Sequence, residues 1–110
     1  MPSPLTELEQ ITWLAPWVPD INASLEHELN REVAAGHPLH GRRATAVARR
    51  HDNGDVLYYL PDAPQPLAVV GLTFTRSREI APEWPRTEFY ASAQEWIERR
   101  MKPDHRAYAG

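Results

Sequence analysis

The side chains best suited to chemistry are three of the five histidines and the carboxylates beside one of them. His37 and His40 lie three residues apart, and His51 begins the run His51-Asp52-Asn53-Gly54-Asp55. Imidazoles could hold a metal ion, and a histidine next to carboxylates could act in general acid–base catalysis. The sequence has no HExxH pattern to support a metal site, and the polar run is typical of a tight hairpin turn. We therefore predict no metal site, no cofactor and no catalytic residue.

Other signatures of an enzyme are missing as well. The chain has no cysteine, which excludes disulfides, thiolate catalysis and cysteine-ligated metals. The serines lie in no nucleophile elbow, and the five glycines form no phosphate-binding loop. The sequence therefore favours a protein that is not an enzyme and leaves enzymatic activity open.

The charges are divided unevenly along the chain. Residues 1–40 carry six acids and one base, whereas residues 41–50 carry four arginines and no acid. The arginines, with Tyr58 and Tyr59, could form a basic stacking surface for single-stranded nucleic acid, but arginine stems more often lie along aromatic faces at a solvated edge. The acidic N-terminal third suits a basic protein partner better than a nucleic acid. We therefore expect a protein partner and no nucleic acid.

Three predicted strands form the framework for these side chains. They cover residues 42–50, 56–60 and 67–75. Between the first two, Asn53-Gly54 predicts a two-residue turn with positive φ, across which Asp52 pairs with Asp55. The sequence thus predicts a hairpin followed by a third strand.

Strand alternation predicts two apolar faces for this hairpin. One face carries Ala44, Ala46, Ala48, Leu57 and Tyr59. The other carries Thr45, Val47, Arg49, Val56, Tyr58 and Leu60. We expect the helices to cover one face only, and an apolar face left open would favour self-association. A monomer and a homodimer are equally compatible with the sequence.

Helices are predicted on both sides of the strands. Thr6, followed by a glutamate three residues later, predicts a short helix at residues 7–11. Apolar residues at four-residue spacing predict an amphipathic helix that begins after Asp20 and ends before Gly36, a glycine placed for a left-handed conformation. Ser92 predicts a further helix over residues 93–101 that ends before Pro103, with a frayed tail after it.

These elements predict an α+β fold. The order is helix, three-stranded antiparallel meander, helix, arranged as a two-layer sandwich in a single domain over residues 1–110. The aromatic segment 11–17 is expected to pack onto the sheet, and residues 76–90 to cross it as an irregular segment. No run of about 18 apolar residues and no secretion signal is present, so we expect no membrane association and a cytoplasmic location.

The chain resembles a group of small, uncharacterised bacterial proteins. The resemblance rests on Gly36-His37-Pro38-Leu39 with Gly41-Arg42-Arg43, Asp52-Asn53 with Asp55-Val56-Leu57, Ala68-Val69-Val70 with Leu72-Thr73, and Trp84-Pro85-Arg86-Thr87 ahead of Trp96. More loosely, it resembles the small α+β immunity proteins that neutralise secreted bacterial toxins. Neither resemblance implies a catalytic residue.

Two functional hypotheses follow. The first is a non-enzymatic protein-binding module, of immunity or adaptor type, whose partner is a basic protein such as a toxin. Its predicted contact residues are Trp13, Trp17, Glu26, Glu28, Glu32, Tyr58 and Trp84. The alternative is a small-molecule-binding protein or enzyme with a pocket between sheet and helices, lined by Tyr58 or Tyr59, Trp84 and Trp96.

Overall fold

A five-stranded antiparallel sheet lies at the centre of the chain. The computed structural model describes residues 3–73 and 85–109. The strands are β1 (Trp17–Pro19), β2 (Thr45–Arg50), β3 (Asp55–Tyr59), β4 (Leu67–Gly71) and β5 (Thr87–Tyr90). They lie side by side in chain order. The three predicted strands are the central ones, β2 to β4, and the predicted three-stranded meander lacks both edge strands.

Both edge strands are too short to produce an alternating sequence pattern. β1 has three residues and ends at Pro19, and β5 has four residues within a segment predicted to be irregular. Proline cannot donate a ladder hydrogen bond, so it is tolerated mainly at the edge of a sheet or at a strand end. Of the other residues in the segment predicted to be irregular, 76–84 lie outside the described part of the chain.

The turn between β2 and β3 is longer than the predicted two-residue turn. Arg49 pairs with Val56, so the chain reverses over residues 51–54. The Asn53 side chain accepts a hydrogen bond from the Asp55 N–H at 2.8 Å, which stabilises the turn locally. The glycine of this turn is not among those with positive φ. The hairpin is therefore confirmed, but its predicted turn type and register are wrong.

A β-bulge at Val47 separates alanines that were predicted to share a face. Ala46 pairs with Tyr58 and Ala48 pairs with Leu57, which makes Val47 an additional residue in β2. Because neighbouring residues alternate between faces, one additional residue reverses the alternation. Ala46 therefore packs with Tyr58 on one face, and Ala48 packs with Leu57 on the other.

The helices are short and lie at both ends of the sequence and between β1 and β2. They are α1 (Pro4–Glu9), α2 (Ala23–Glu32), α3 (Ala93–Trp96) and α4 (Lys102–Ala109), with a π-helical segment, Ile97–Met101, joining the last two. None in residues 3–73 or 85–109 has the length and apolar composition needed to cross a membrane.

Helix α1 begins earlier than predicted. The Ser3 hydroxyl accepts a hydrogen bond from the Thr6 N–H at 3.2 Å, and Pro4 occupies the first turn, where its missing N–H costs nothing. The predicted range of 7–11 mistook Thr6 for the capping residue. The cap is instead three residues upstream.

Helix α2 begins later than predicted. The Asn22 side chain caps it by accepting from the Ser24 N–H at 2.9 Å. Asp20, the predicted start, still belongs to the sheet, because its N–H donates to the Val47 carbonyl at 2.9 Å. Past the end of α2, Gly36 has φ of 97°, which confirms the predicted left-handed conformation.

The C-terminal helical region continues past its predicted end. The Ser92 hydroxyl accepts from the Glu95 N–H at 3.1 Å, as the capping pattern predicts. The helix does not stop at Pro103, however, because the preceding turn is π-helical, with the Lys102 N–H bonded to the Ile97 carbonyl. A wider turn gives the proline ring space beside the carbonyl that it would otherwise meet.

Helices cover both faces of the sheet, so the fold has three layers rather than the predicted two. On the first face, α1, α3 and the π-helical segment bury their apolar residues against β2 to β5 around Trp96. On the second face, α2 packs Leu25 and Leu29 against Tyr58 and its neighbours. Each strand of the hairpin thus contributes to two cores, which explains why both of its predicted faces are apolar.

Candidate partner-binding surfaces

Two of the predicted contact residues, Trp17 and Tyr58, are buried in opposite cores. Trp17 has no exposed surface, and its ring packs edge-on against Trp96 at a centroid distance of 5.2 Å. Tyr58 lies on the other face of the sheet, where its hydroxyl donates to the Leu25 carbonyl of α2 at 2.6 Å. Neither side chain is therefore part of the surface offered to a partner. Tyr58 and Trp96 cannot line one pocket, because the sheet separates them, whereas Tyr59, the other tyrosine predicted for that pocket, packs against the same core as Trp96.

An ion-pair network holds Trp17 in place. The Trp17 indole N–H donates to Asp104 Oδ2 at 2.8 Å, and the Arg100 guanidinium lies over its ring at 5.7 Å from the centroid. Arg100 reaches three carboxylates, those of Asp55 (2.9 Å), Glu88 (3.1 Å) and Asp104 (3.2 Å). The guanidinium nitrogens of Arg100 are thus paired with carboxylates of the same chain. The network joins α4 to β1, β3 and β5.

The same network extends to the hairpin turn. Arg50 binds Asp52 through two hydrogen bonds of 2.9 and 2.8 Å and lies 3.4 Å from Asp104. The hydrogen bond between Arg50 and Asp52 raises the pKa of Arg50 and lowers the pKa of Asp52. Asp52 is therefore held as a carboxylate that binds Arg50 at the hairpin turn.

Two of the three predicted contact glutamates on α2 are also buried. The Glu32 carboxylate accepts from the Thr73 N–H at 2.9 Å, and Glu28 lies 3.2 Å from Arg31. Burial, followed by the charges of Glu32 and the neighbouring glutamates, raises the pKa of Tyr58. The Glu32 carboxylate joins α2 to the segment after β4, and Glu28 pairs within α2, so neither of these buried carboxylates offers the contact surface that was predicted.

His37 fixes a loop and leaves neither ring nitrogen for a metal. Its Nδ1 accepts from the Leu39 N–H at 3.0 Å, which places the proton on Nε2, and Nε2 donates to the Pro85 carbonyl at 2.9 Å. The ring is buried, whereas His40 is exposed. In the described ranges, no group of three or more potential ligands is close enough to hold a metal ion.

Trp13 is the predicted contact residue that reaches an open apolar surface. It is half-buried, and its ring lies 5.8 Å from that of Trp96. It lines a groove of about 270 Å³, which we call the apolar groove. The lining residues are Leu5, Leu8, Glu9, Trp13, Pro19, Ile21 and Val47. The groove lies where α1 meets β1 and the bulge of β2.

Ile21 is the most exposed of the large apolar residues in the apolar groove. Its side chain is 79% exposed, because the residue lies in the extended segment between β1 and the cap of α2. Glu9 lines the groove and Glu7 lies on the same helix, and neither forms an ion pair with a described residue. The groove thus combines a mostly apolar lining with one carboxylate, that of Glu9.

Glu26 lies at a second groove, of different character. This groove of about 340 Å³, which we call the arginine groove, separates α2 from the beginning of β2. Its lining residues are Glu26, Leu29, Asn30, Arg42, Arg43, Ala44, Thr45 and Pro61. The Glu26 carboxylate accepts a hydrogen bond from the Ala46 N–H at 3.0 Å. The seventh predicted contact residue, Trp84, lies outside the described residues.

Comparison with known proteins found no match, so the function is inferred from the apolar groove and the arginine groove. No family model, no curated protein and no solved structure matches the chain. The sequence predicted neither groove. Each is lined by residues from three or more separate segments, and local patterns do not show which segments meet.

Proposed function

We propose that this protein is a non-enzymatic binding module, of adaptor or immunity type, and that its apolar groove holds an amphipathic segment of a basic partner protein. The observation that carries the proposal is Ile21, an isoleucine 79% exposed at the rim of an open groove that also contains Trp13. A partner that covered Ile21 would contribute about 1.5 to 3 kcal/mol through that side chain alone.

The shape and composition of the apolar groove favour a partner side chain over a small polar ligand. Leu5, Leu8 and Val47 form its walls, and Pro19 keeps the edge strand beside it short. Apolar anchors that fill such a groove supply most of the binding energy in many interfaces, while the surrounding polar residues contribute little.

The charges around the apolar groove favour a positively charged partner. Glu9 lies in the lining and Glu7 lies on the same helix, whereas Asp20, which follows β1, is paired with Arg49. None of the described residues that line the groove is basic. A lysine or arginine next to the partner's apolar anchor would therefore meet a complementary field, which raises the association rate and disfavours acidic partners.

Selection from a random peptide library displayed on phage tests this proposal. We expect the peptides recovered on the immobilised protein to combine apolar residues with lysine or arginine. Ile21→Asp should weaken their binding by about tenfold or more, since a charge replaces the exposed apolar contact. Glu9→Lys should weaken the same peptides by reversing the charge at the rim.

Tyr108→Asp is the matched control. Tyr108 is an exposed aromatic residue of α4, 48% exposed, and lies outside the apolar groove. Its substitution should leave peptide binding unchanged. Recovery of acidic peptides, or of peptides that bind the Ile21→Asp variant equally well, would contradict the proposal.

Light scattering separates a foreign partner from a second copy of the chain. We expect the purified protein to have the mass of one chain. A doubled mass that Ile21→Asp returns to that of one chain would show that a second copy occupies the apolar groove, and the proposal of a basic partner would then be wrong.

A further inference from the structure

Within residues 3–73 and 85–109, no strand pairs with the first half of β2 on the side of β1. Strand β1 pairs with Ala48, Arg49 and Arg50 only, and the chain leaves the sheet after Asp20. The edge from Ala44 to Ala46 therefore faces the arginine groove instead of a strand. Uncovered strand edges are the places where an extended segment of another protein can add to a sheet.

The Glu26 side chain occupies the position of a missing strand's carbonyl. Its Oε2 accepts from the Ala46 N–H at 3.0 Å, which is the bond that a neighbouring strand would otherwise make. Glu26 is half-buried and comes from α2, twenty residues earlier in the chain. Because a side chain rather than a backbone satisfies this N–H, a competing strand could replace it without breaking the sheet.

Two arginines beside this edge have guanidinium nitrogens that can pair with a ligand, although Arg42 Nε already donates to the Pro38 carbonyl at 3.2 Å. Arg49 and Arg50, farther along β2, form ion pairs with Asp20 and Asp52. Arg42 and Arg43 are exposed and have no carboxylate within ion-pair distance in the described part of the chain. Exposed guanidinium groups pair readily with carboxylates, often through two parallel hydrogen bonds.

We propose that the arginine groove binds an extended acidic segment of a partner protein, which adds as a short strand beside Ala44 and Ala46 and displaces the Glu26 carboxylate. The carboxylates of the segment pair with Arg42 and Arg43. A volume of about 340 Å³ suits a short segment rather than a folded domain. This site takes the opposite charge from the apolar groove, so the two proposals stand independently.

Amide NMR with a designed peptide tests the proposal. The probe is an acetylated, amidated octapeptide of alternating valine and glutamate, titrated into ¹⁵N-labelled protein. We expect saturable shifts at the amides of Thr45 and Ala46, weakening as salt is added because the charges are exposed. The same peptide with lysine in place of glutamate should bind at least about fivefold more weakly.

Variants on the two sides of the groove should change the affinity in opposite directions. Glu26→Ala removes the competing carboxylate and frees the Ala46 N–H, so it should strengthen binding by about fivefold. Glu26→Gln keeps an acceptor without the charge and should strengthen it less. Arg43→Ala should weaken binding by up to about fivefold, whereas Arg106→Ala, an exposed arginine of α4, should have no effect.

Three results would overturn the proposal. The first is no saturable shift with the acidic peptide up to millimolar concentration. The second is weaker binding by a folded Glu26→Gln or Glu26→Ala variant, because it would make Glu26 a contact and not a competitor. The third is that free glutarate, a small dicarboxylate, produces the same shifts at Ala46 as the peptide, because the site would then recognise small anions and not a strand.

Discussion

Trp17 and Asp104 are joined by a hydrogen bond of 2.8 Å from the indole N–H to the carboxylate, which ties the first strand to the last helix. The accepting oxygen also lies 3.2 Å from Arg100 Nε and 3.4 Å from Arg50 Nη1. One carboxylate thus serves a buried indole and two guanidinium groups. Asp104 is therefore the acceptor that joins Trp17, Arg50 and Arg100 in one network.

Asp104→Ala should lower the free energy of unfolding by about 2 to 4 kcal/mol. The substitution leaves the Trp17 N–H buried without an acceptor and removes a shared counter-charge from two arginines. Urea unfolding followed by tryptophan fluorescence measures the loss. Asp62→Ala, in the exposed connector after β3, should stay within about 0.5 kcal/mol of the wild type. Equal losses in the two variants would contradict this role of Asp104.

Trp17→Ala should destabilise the protein as strongly as Trp96→Ala, by about 3 to 5 kcal/mol each. Both rings are fully buried and in contact with one another. Trp13→Ala should cost less, because that ring is half-buried and lines the apolar groove. Chemical unfolding of the three variants gives the order, and a Trp13 loss that equals the other two would show that the apolar groove is closed in solution.

Tyr58→Phe should cost about 1 kcal/mol at pH 8, since it removes the hydrogen bond to the Leu25 carbonyl. The pKa of Tyr58 is raised in the folded state, so the unfolded wild type ionises at a lower pH than the folded protein does. The advantage of the wild type is therefore complete below pH of about 10 and declines above it. Urea midpoints of both proteins at pH 8 and pH 11 test the sign, with Tyr108→Phe as the exposed control.

His37→Ala should lower the free energy of unfolding by about 1 to 3 kcal/mol, whereas His40→Ala should have almost no effect. The buried His37 ring connects the loop before β2 to the Pro85 carbonyl just before β5, and its loss leaves that carbonyl without this donor. Thermal unfolding compares the variants. A larger effect at His40 would mean that the exposed ring has a role that its position does not explain.

The sequence predicted the existence of the hairpin but not its register. Asn53-Gly54 marks the turn correctly, yet Asn53 uses its side chain to bond the Asp55 N–H in a longer turn. The bulge at Val47 has no local sequence signal, because valine is also common in regular strands. The bulge allows Ala46 and Ala48 to pack into cores on opposite faces of the sheet, and that requirement is tertiary. Local patterns therefore located the elements, whereas tertiary contacts fixed their alignment.

The candidate surfaces were largely beyond what the sequence could predict. Trp13 and Trp17 come from the same aromatic segment and were both predicted to contact a partner, but Trp17 is buried by contacts with Trp96 and α4. Glu26 and Glu28 are only two residues apart, and one reaches a groove while the other is buried. The side of a helix that packs on a sheet depends on the strand it meets. The spacing of apolar residues in the sequence predicts that side only approximately.

The order of the strands has a consequence for the kinetics of folding. β2, β3 and β4 are joined to one another by short connections, whereas the bond between Trp17 and Asp104 joins residues 87 positions apart in the chain. Short loops close at a smaller entropic cost, so we expect the central hairpins to form early and β1 and α4 to dock late. In stopped-flow experiments, Asp104→Ala should then accelerate unfolding and leave the folding rate nearly unchanged. The hydrogen bond between Trp17 and Asp104 would thus determine the unfolding rate, and with it the lifetime of the native state, but not the folding rate.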